Sequence, residues 1–409
     1  MITIKSKNTY ISLAAKLLFV GVIYKFVTAV FFHLGGSGFG GRYDLLAFLM
    51  PLVVLLTFLH LFSSKRGKLY GTWAIIGFFY CVYIIFITLA SQMYGLSQLP
   101  FVFVNMTYWF VAMYVTYEYK RSYPDENWIV KLMFCTLVIC FVGFCLSIGS
   151  AHNISFYANR DLLLNSVYYC LFLLPFVSLS KAGWVRNIGF LLVFISAVLS
   201  NKRAALIVVI ACLFVMMLFQ VKSVSGFKKI SRVVLYTLCA VALIYLFQWL
   251  IEYYDLAILE RFQAFMSGED TGSGRTEIWA DTINQIKSEN FLISLLGRGY
   301  RAVSVNSVYI GRISETHNDY LQILFDYGVF GLIGIISFII SILAPLRAMH
   351  KTNYRGYLSY LLSFLIFGVC SMLSQCLIYP YWFLGIATFW GYSLADYERG
   401  CLPDSREEI

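Results

Sequence analysis

Charge is scarce in this chain. Asp, Glu, Lys and Arg make up 13% of 409 residues, where a soluble globular domain carries about a quarter. Apolar residues reach 60% and the mean hydropathy is +0.75. A water-soluble fold of this length could not hide that much apolar surface, whereas a bilayer is itself an apolar solvent. A disulfide framework is also missing. Most of the ten cysteines lie inside apolar runs, such as Cys135, Cys140, Cys145 and Cys239, and none falls in the long polar stretch 252–319. No CxxC pair, no Asp-x-Asp pair and no His- or Cys-rich ligand cluster occurs, which removes the usual sequence grounds for a zinc site or metal-held nucleotide chemistry. The glycine-rich segment His33–Gly41 lacks the Gly-Lys-Ser/Thr ending of a phosphate-binding loop, so a flexible outer turn is expected there. The first apolar run is too long for a signal core and is followed by no small-residue cleavage site, so it is expected to remain as a span.

Long apolar runs are abundant instead. Twelve can be read, at Tyr10–Phe32, Asp44–Phe62, Leu69–Ala90, Phe101–Tyr117, Trp128–Gly149, Leu162–Ser180, Asn187–Leu199, Ala204–Gln220, Val233–Ile251, Tyr320–Pro345, Gly356–Ser374 and Ile378–Ala395. Each approaches the ~20 residues that cross a hydrocarbon core. The net charge of +10 is dispersed between these runs, which is a topology signal and not a nucleic-acid face. With the N-terminus inside, the inner connections hold Lys65, Arg66, Lys68, Lys120, Arg121, Lys181, Arg186, Lys222, Lys228, Lys229, Arg232, Arg347, Lys351 and Arg355. The short outer ones hold only Arg42, Arg160, Lys202 and Arg203. An even number of spans then leaves both termini cytoplasmic. The expected organisation is residues 1–251 with nine spans, 252–319 as a large outer loop, 320–396 with three spans, and 397–409 as a cytoplasmic tail. Within the loop, Leu256, Leu259 and Phe262, and again Trp279, Ile283 and Ile286, recur at helical spacing. They predict two amphipathic helices joined through Ser267–Gly274. Lys16 and Lys25 fall in the first run, where Lys16 can snorkel and Lys25 is expected to face protein.

Three groups carry candidate chemistry. Thr316-His317-Asn318-Asp319 precedes an apolar run and resembles a capping box. That pattern places His317 in the first helical turn, where the dipole favours anions and a neutral imidazole. Ser200-Asn201-Lys202-Arg203 is an outer turn holding two cations that topology disfavours, and Arg203 could grip phosphate through its planar fork. The loop adds Arg275, Arg298, Arg301 and Arg312 among ten acidic residues. A capping histidine, snorkelling arginines and ordinary surface pairs are the structural alternatives.

The motifs Gly274-Arg275-Thr-Glu-Ile-Trp279, Leu296-Gly-Arg298-Gly-Tyr300, Thr316-His317-Asn318-Asp319-Tyr-Leu321 and Asp326-Tyr-Gly328-Val-Phe-Gly331, in this order, resemble the O-antigen ligase and polymerase family. The Ser-Asn-Lys-Arg203 turn is similar to that family's outer arginine turn. The likeness spans about Ser200 to Gly334. It implies an all-α, C-type membrane glycosyltransferase fold of about twelve spans in the bacterial inner membrane. It further implies glycan transfer on the periplasmic face, with inversion and without cofactor, nucleotide or metal. The donor would be a glycan on undecaprenyl pyrophosphate. The acceptor would be another lipid-linked repeat in a polymerase, or the lipid A core in a ligase, with a chain-length regulator and a flippase as possible partners. On this reading His317, Arg203 and Arg275 are catalytic, and Lys202, Arg298, Arg301, Asn318 and Asp319 bind substrate. Polymerisation is the leading expectation, on the Asp-Tyr-Gly-Val-Phe-Gly wording, and ligation the alternative. A lipid-linked glycan flippase is the rival from another class, but it would not need so large an outer loop.

Overall fold

In a computed structural model of the chain, the residues described are 9–31, 45–63, 71–92, 95, 99–154, 166–200, 202–222, 226–254, 259–260, 263, 267, 275–306, 315–377 and 380–400. Among them every regular element is a helix. Nine precede the polar stretch: α1 Thr9–Phe31, α2 Leu45–Ser63, α3 Gly71–Ala90, α4 Leu99–Ser122, α5 Trp128–Ile154, α6 Val167–Ser178, α7 Gly183–Leu199, α8 Arg203–Lys222 and α9 Phe227–Tyr254. Three short ones lie within it: α10 Arg275–Ser288, α11 Phe291–Leu296 and α12 Ala302–Asn306. Then follow α13 Asp319–Leu343, α14 Leu346–Lys351, α15 Tyr357–Leu373 and α16 Pro380–Gly400. Helices are the natural outcome for such a composition, because an apolar surrounding offers no partner to an unpaired backbone amide.

Each of the twelve apolar runs is carried by one of these helices. Among the described residues, five helices are long and apolar enough to cross a membrane: Thr9–Val30, Gly71–Ala90, Trp128–Leu146, Lys229–Tyr253 and Asp319–Lys351. Five further apolar helices, among them Val167–Ser178 and Gly183–Leu199, are shorter. The run expected from Asn187 starts earlier, at Gly183. The chain is therefore a polytopic helical membrane protein. The interior is continuous. α16 lies along α4, α1 against α2 and α5, α13 against α3, and α15 against α8 and α6. At Gly391 on α16, a Cβ would collide with the carbonyl oxygen of Met113 on α4, the close backbone approach that small residues permit between membrane helices. Lys25 is buried inside the bundle and Lys16 is exposed.

The far end of α16 carries a polar network of its own. Asp396 pairs with Lys120 at 3.3 Å and accepts from Tyr354 at 2.8 Å, Glu398 accepts from Tyr117, and His60 faces Glu118 at 3.5 Å. These contacts join α2, α4 and α16.

The amphipathic set Trp279, Ile283 and Ile286 lies on α10. The set Leu256, Leu259 and Phe262 falls largely outside the described residues, as do the Ser267–Gly274 connection beyond Ser267, the His33–Gly41 segment, Arg42, Arg160 and Arg312.

Candidate active site

Two glycine motifs that lie thirty residues apart in sequence dock against each other and shape the region. Helix α13 is broken at Gly328, whose φ of 64° and ψ of −169° belong to glycine alone. The break leaves the Asp326 carbonyl without its helical partner. The amides of Arg298 and Gly299 donate to it at 2.8 and 2.7 Å. The fit is tight on both sides. A Cβ on Gly297 would collide with the Asp326 carbonyl oxygen, and one on Gly328 with the Leu295 carbonyl oxygen. From α3, the Tyr83 hydroxyl donates to the carbonyls of Leu296 and Tyr327. The Asp326 side chain accepts from the Val303 amide at 3.0 Å and from Gln322 at 3.4 Å. We expect Gly328→Ala to cost about 1–3 kcal/mol in backbone strain alone. A lower midpoint of thermal inactivation in detergent would register it, and an unchanged midpoint would mean that the break is not required.

The His317 turn sits on this base. Asn318, not Thr316, caps α13: its side chain accepts from the Leu321 amide at 3.1 Å. His317 therefore precedes the helix instead of lying in its first turn, and it adopts a left-handed φ of 53°. Thr316 donates its hydroxyl proton to the Asn318 carbonyl at 2.7 Å. Asp319 does not return a capping bond. It is fully buried, and its carboxylate accepts from the amides of Cys376 and Leu377 at 2.7 and 2.8 Å. The Thr-x-x-Asp spacing misled because Asp319 found better donors in a distant loop, and an asparagine is as good a cap as threonine.

The cations divide into two groups. Arg275 opens α10, and one helical turn later Trp279 donates its indole N–H to the Thr316 carbonyl at 2.7 Å. The i, i+4 spacing brings Arg275 to the same face. Burial and the Arg275 guanidinium together push the His317 imidazole down to about 4, with Glu315 pulling it up and Lys202 adding to the fall. Arg275 and Lys202 thus both act on the histidine, and Arg203, the next residue after Lys202, begins α8. Arg298 and Arg301 pair with acidic side chains. The Arg298 guanidinium pairs with Glu289 at 2.7 Å and lies 3.9 Å over the Phe325 ring. Arg301 pairs with Glu315, which also accepts from Ser304.

The sequence gives no site role to Gln322, Asp326 or Gln375, all fully or nearly fully buried. The available signal was their cost: polar side chains within or between apolar helices are retained when they have partners to hold.

No curated protein sequence matches the chain. Residues 188–336 match the family model described as O-antigen ligase, a segment that contains every candidate residue from Lys202 to Asp319. The match covers about a third of the chain, so it is this segment that is similar to the O-antigen ligase family.

Proposed function

We propose that this chain transfers a glycan from undecaprenyl pyrophosphate to a sugar hydroxyl on the periplasmic face of the bacterial inner membrane. The observation that carries the reading is the half-buried His317 turn held by Trp279 of the helix that Arg275 opens, with burial, Arg275 and Lys202 all lowering the imidazole. The bond between the anomeric carbon and the pyrophosphate oxygen breaks, and the acceptor oxygen bonds to that carbon. His317 takes the acceptor's proton. Negative charge grows on the leaving pyrophosphate, where Arg275, Arg203 and Lys202 stabilise it without a metal or other cofactor. Arg298, Arg301, Asn318 and Asp319 serve the site by fixing its backbone, given the partners described above.

Polymerisation of lipid-linked repeat units is the first reading. Ligation to the lipid A core is the second, favoured by the description of the matching family model. Purified full-length protein in nanodiscs, given a lipid-linked repeat unit with and without lipid A core, separates them. Lengthened lipid-linked glycan supports a polymerase, core-linked glycan supports a ligase, and neither product sinks both.

The proposed topology has twelve spans, residues 252–319 outside and both termini inside, on the Lys/Arg asymmetry. Glu277 on α10 and Lys351 on α14 are exposed. In intact spheroplasts an impermeant maleimide is expected to label Glu277→Cys and to spare Lys351→Cys until the cells are opened. The opposite pattern would invert the topology.

A further inference from the structure

The loop that joins α15 to α16 lies beyond the segment matched by the family, yet it holds the His317 turn. Gln375 in this loop is fully buried and has a φ of 60°. Its backbone is pinned on both sides. Ser374 Oγ lies 2.5 Å from the Tyr168 hydroxyl of α6, and the next two amides, of Cys376 and Leu377, both donate to the Asp319 carboxylate. With the Gln375 amide turned so that its nitrogen donates to Glu315 at 3.1 Å, its oxygen accepts from the backbone N–H of His317 at 3.0 Å and of Thr316 at 3.3 Å. In the opposite orientation the Gln375 nitrogen donates instead to the Gln322 side-chain oxygen of α13. One buried side chain thus takes both amides of a turn whose left-handed residue is otherwise disfavoured.

We infer that Gln375 is a positioning residue for His317, holding the Thr316–His317 turn so that the imidazole stays beside Arg275 and Lys202. The inference rests on the reading of His317 as the group that takes the acceptor's proton. The charged groups that act on the imidazole come from three places: Arg275 from α10, Lys202 from the turn before α8, and Glu315 from its own segment, itself paired with Arg301. If Gln375 lets go, the turn relaxes and the ring leaves this setting. Displacement of a catalytic group by about 1 Å lowers turnover on the order of 100-fold. The donor, gripped by the arginines, should still bind.

The test compares wild type, His317→Ala, Gln375→Met and Gln375→Asn as full-length proteins in nanodiscs with a lipid-linked repeat unit. Methionine keeps the length and loses the amide, while asparagine keeps the amide and cannot span the gap. Both are expected to lower kcat on the order of 10- to 100-fold, leave the donor KM near wild type, and move the acidic limb of the kcat profile upward from about 4. If His317→Ala is inactive but an inserted Gln375→Met keeps wild-type kcat and the wild-type limb, Gln375 has no positioning role. If Gln375→Met does not accumulate, the same measurements on Gln375→Asn decide. If His317→Ala is itself fully active, the underlying reading fails and not this step alone.

Discussion

His317→Ala is expected to abolish glycan transfer while leaving the protein inserted and able to bind its lipid-linked donor. A positioned general base contributes about 10²–10⁴-fold, so the residual rate should fall by at least the lower figure. The pH profile adds an independent check. Burial and Arg275 lower the imidazole to about 4, from about 6.5 in an unfolded chain. The neutral form, which accepts the proton, is therefore dominant at pH 7 and persists well into acid. Wild-type turnover should hold from neutrality down and fail as pH drops through about 4. The sign for stability follows from the same shift. Between pH 6.5 and 4 the unfolded chain binds a proton that the folded chain refuses. The stability that His317 contributes is thus complete above pH 6.5 and declines as acid is added through that window. If the histidine only binds pyrophosphate, donor affinity would fall in His317→Ala and His317→Arg would retain activity. Unchanged turnover in the Ala, Gln and Arg variants together would reduce it to a structural residue.

Arg275→Ala is expected to lose ten-fold to more than a hundred-fold in transfer, since a charged hydrogen bond contributes about 1.5–3 kcal/mol and each 1.36 kcal/mol is a factor of ten. Its second effect distinguishes it from a general loss of structure. Arg275 is one of the charges that hold the imidazole down, so its removal should raise the acidic limb toward the ordinary histidine value. Arg275→Lys keeps the charge and loses the fork: the limb should stay low while transfer recovers only in part. Arg203→Ala should match the loss of transfer with the limb in place, because the cations that act on His317 are Arg275 and Lys202. Steady-state kinetics against pH for the three variants would check this. Near-wild-type transfer in either alanine variant would take that arginine out of the site.

Part of the candidate site's geometry is legible in the amino-acid sequence alone. The Arg275–Trp279 spacing places both on one helical face, and α10 uses that face to reach the Thr316 carbonyl. His317 stands out by its place before a long apolar run. The substrate role expected for Arg298 and Arg301 meets a different setting, because Glu289, Phe325 and Glu315 engage them. Nothing in the local pattern announces those partners.

The division has a physical basis. Membrane character, helical class and the Lys/Arg asymmetry are sums over single residues and short windows, so composition and periodicity carry them. The cap of α13, the docking of Gly297 on Gly328 and the grip of Gln375 on His317 depend on which distant backbone groups are left unpaired when the helices pack. A buried amide or carboxylate takes whichever donor geometry brings within about 3 Å. For Asp319 that was the loop 376–377 and not its own helix, a choice that exists only once α13, α15 and α16 are assembled.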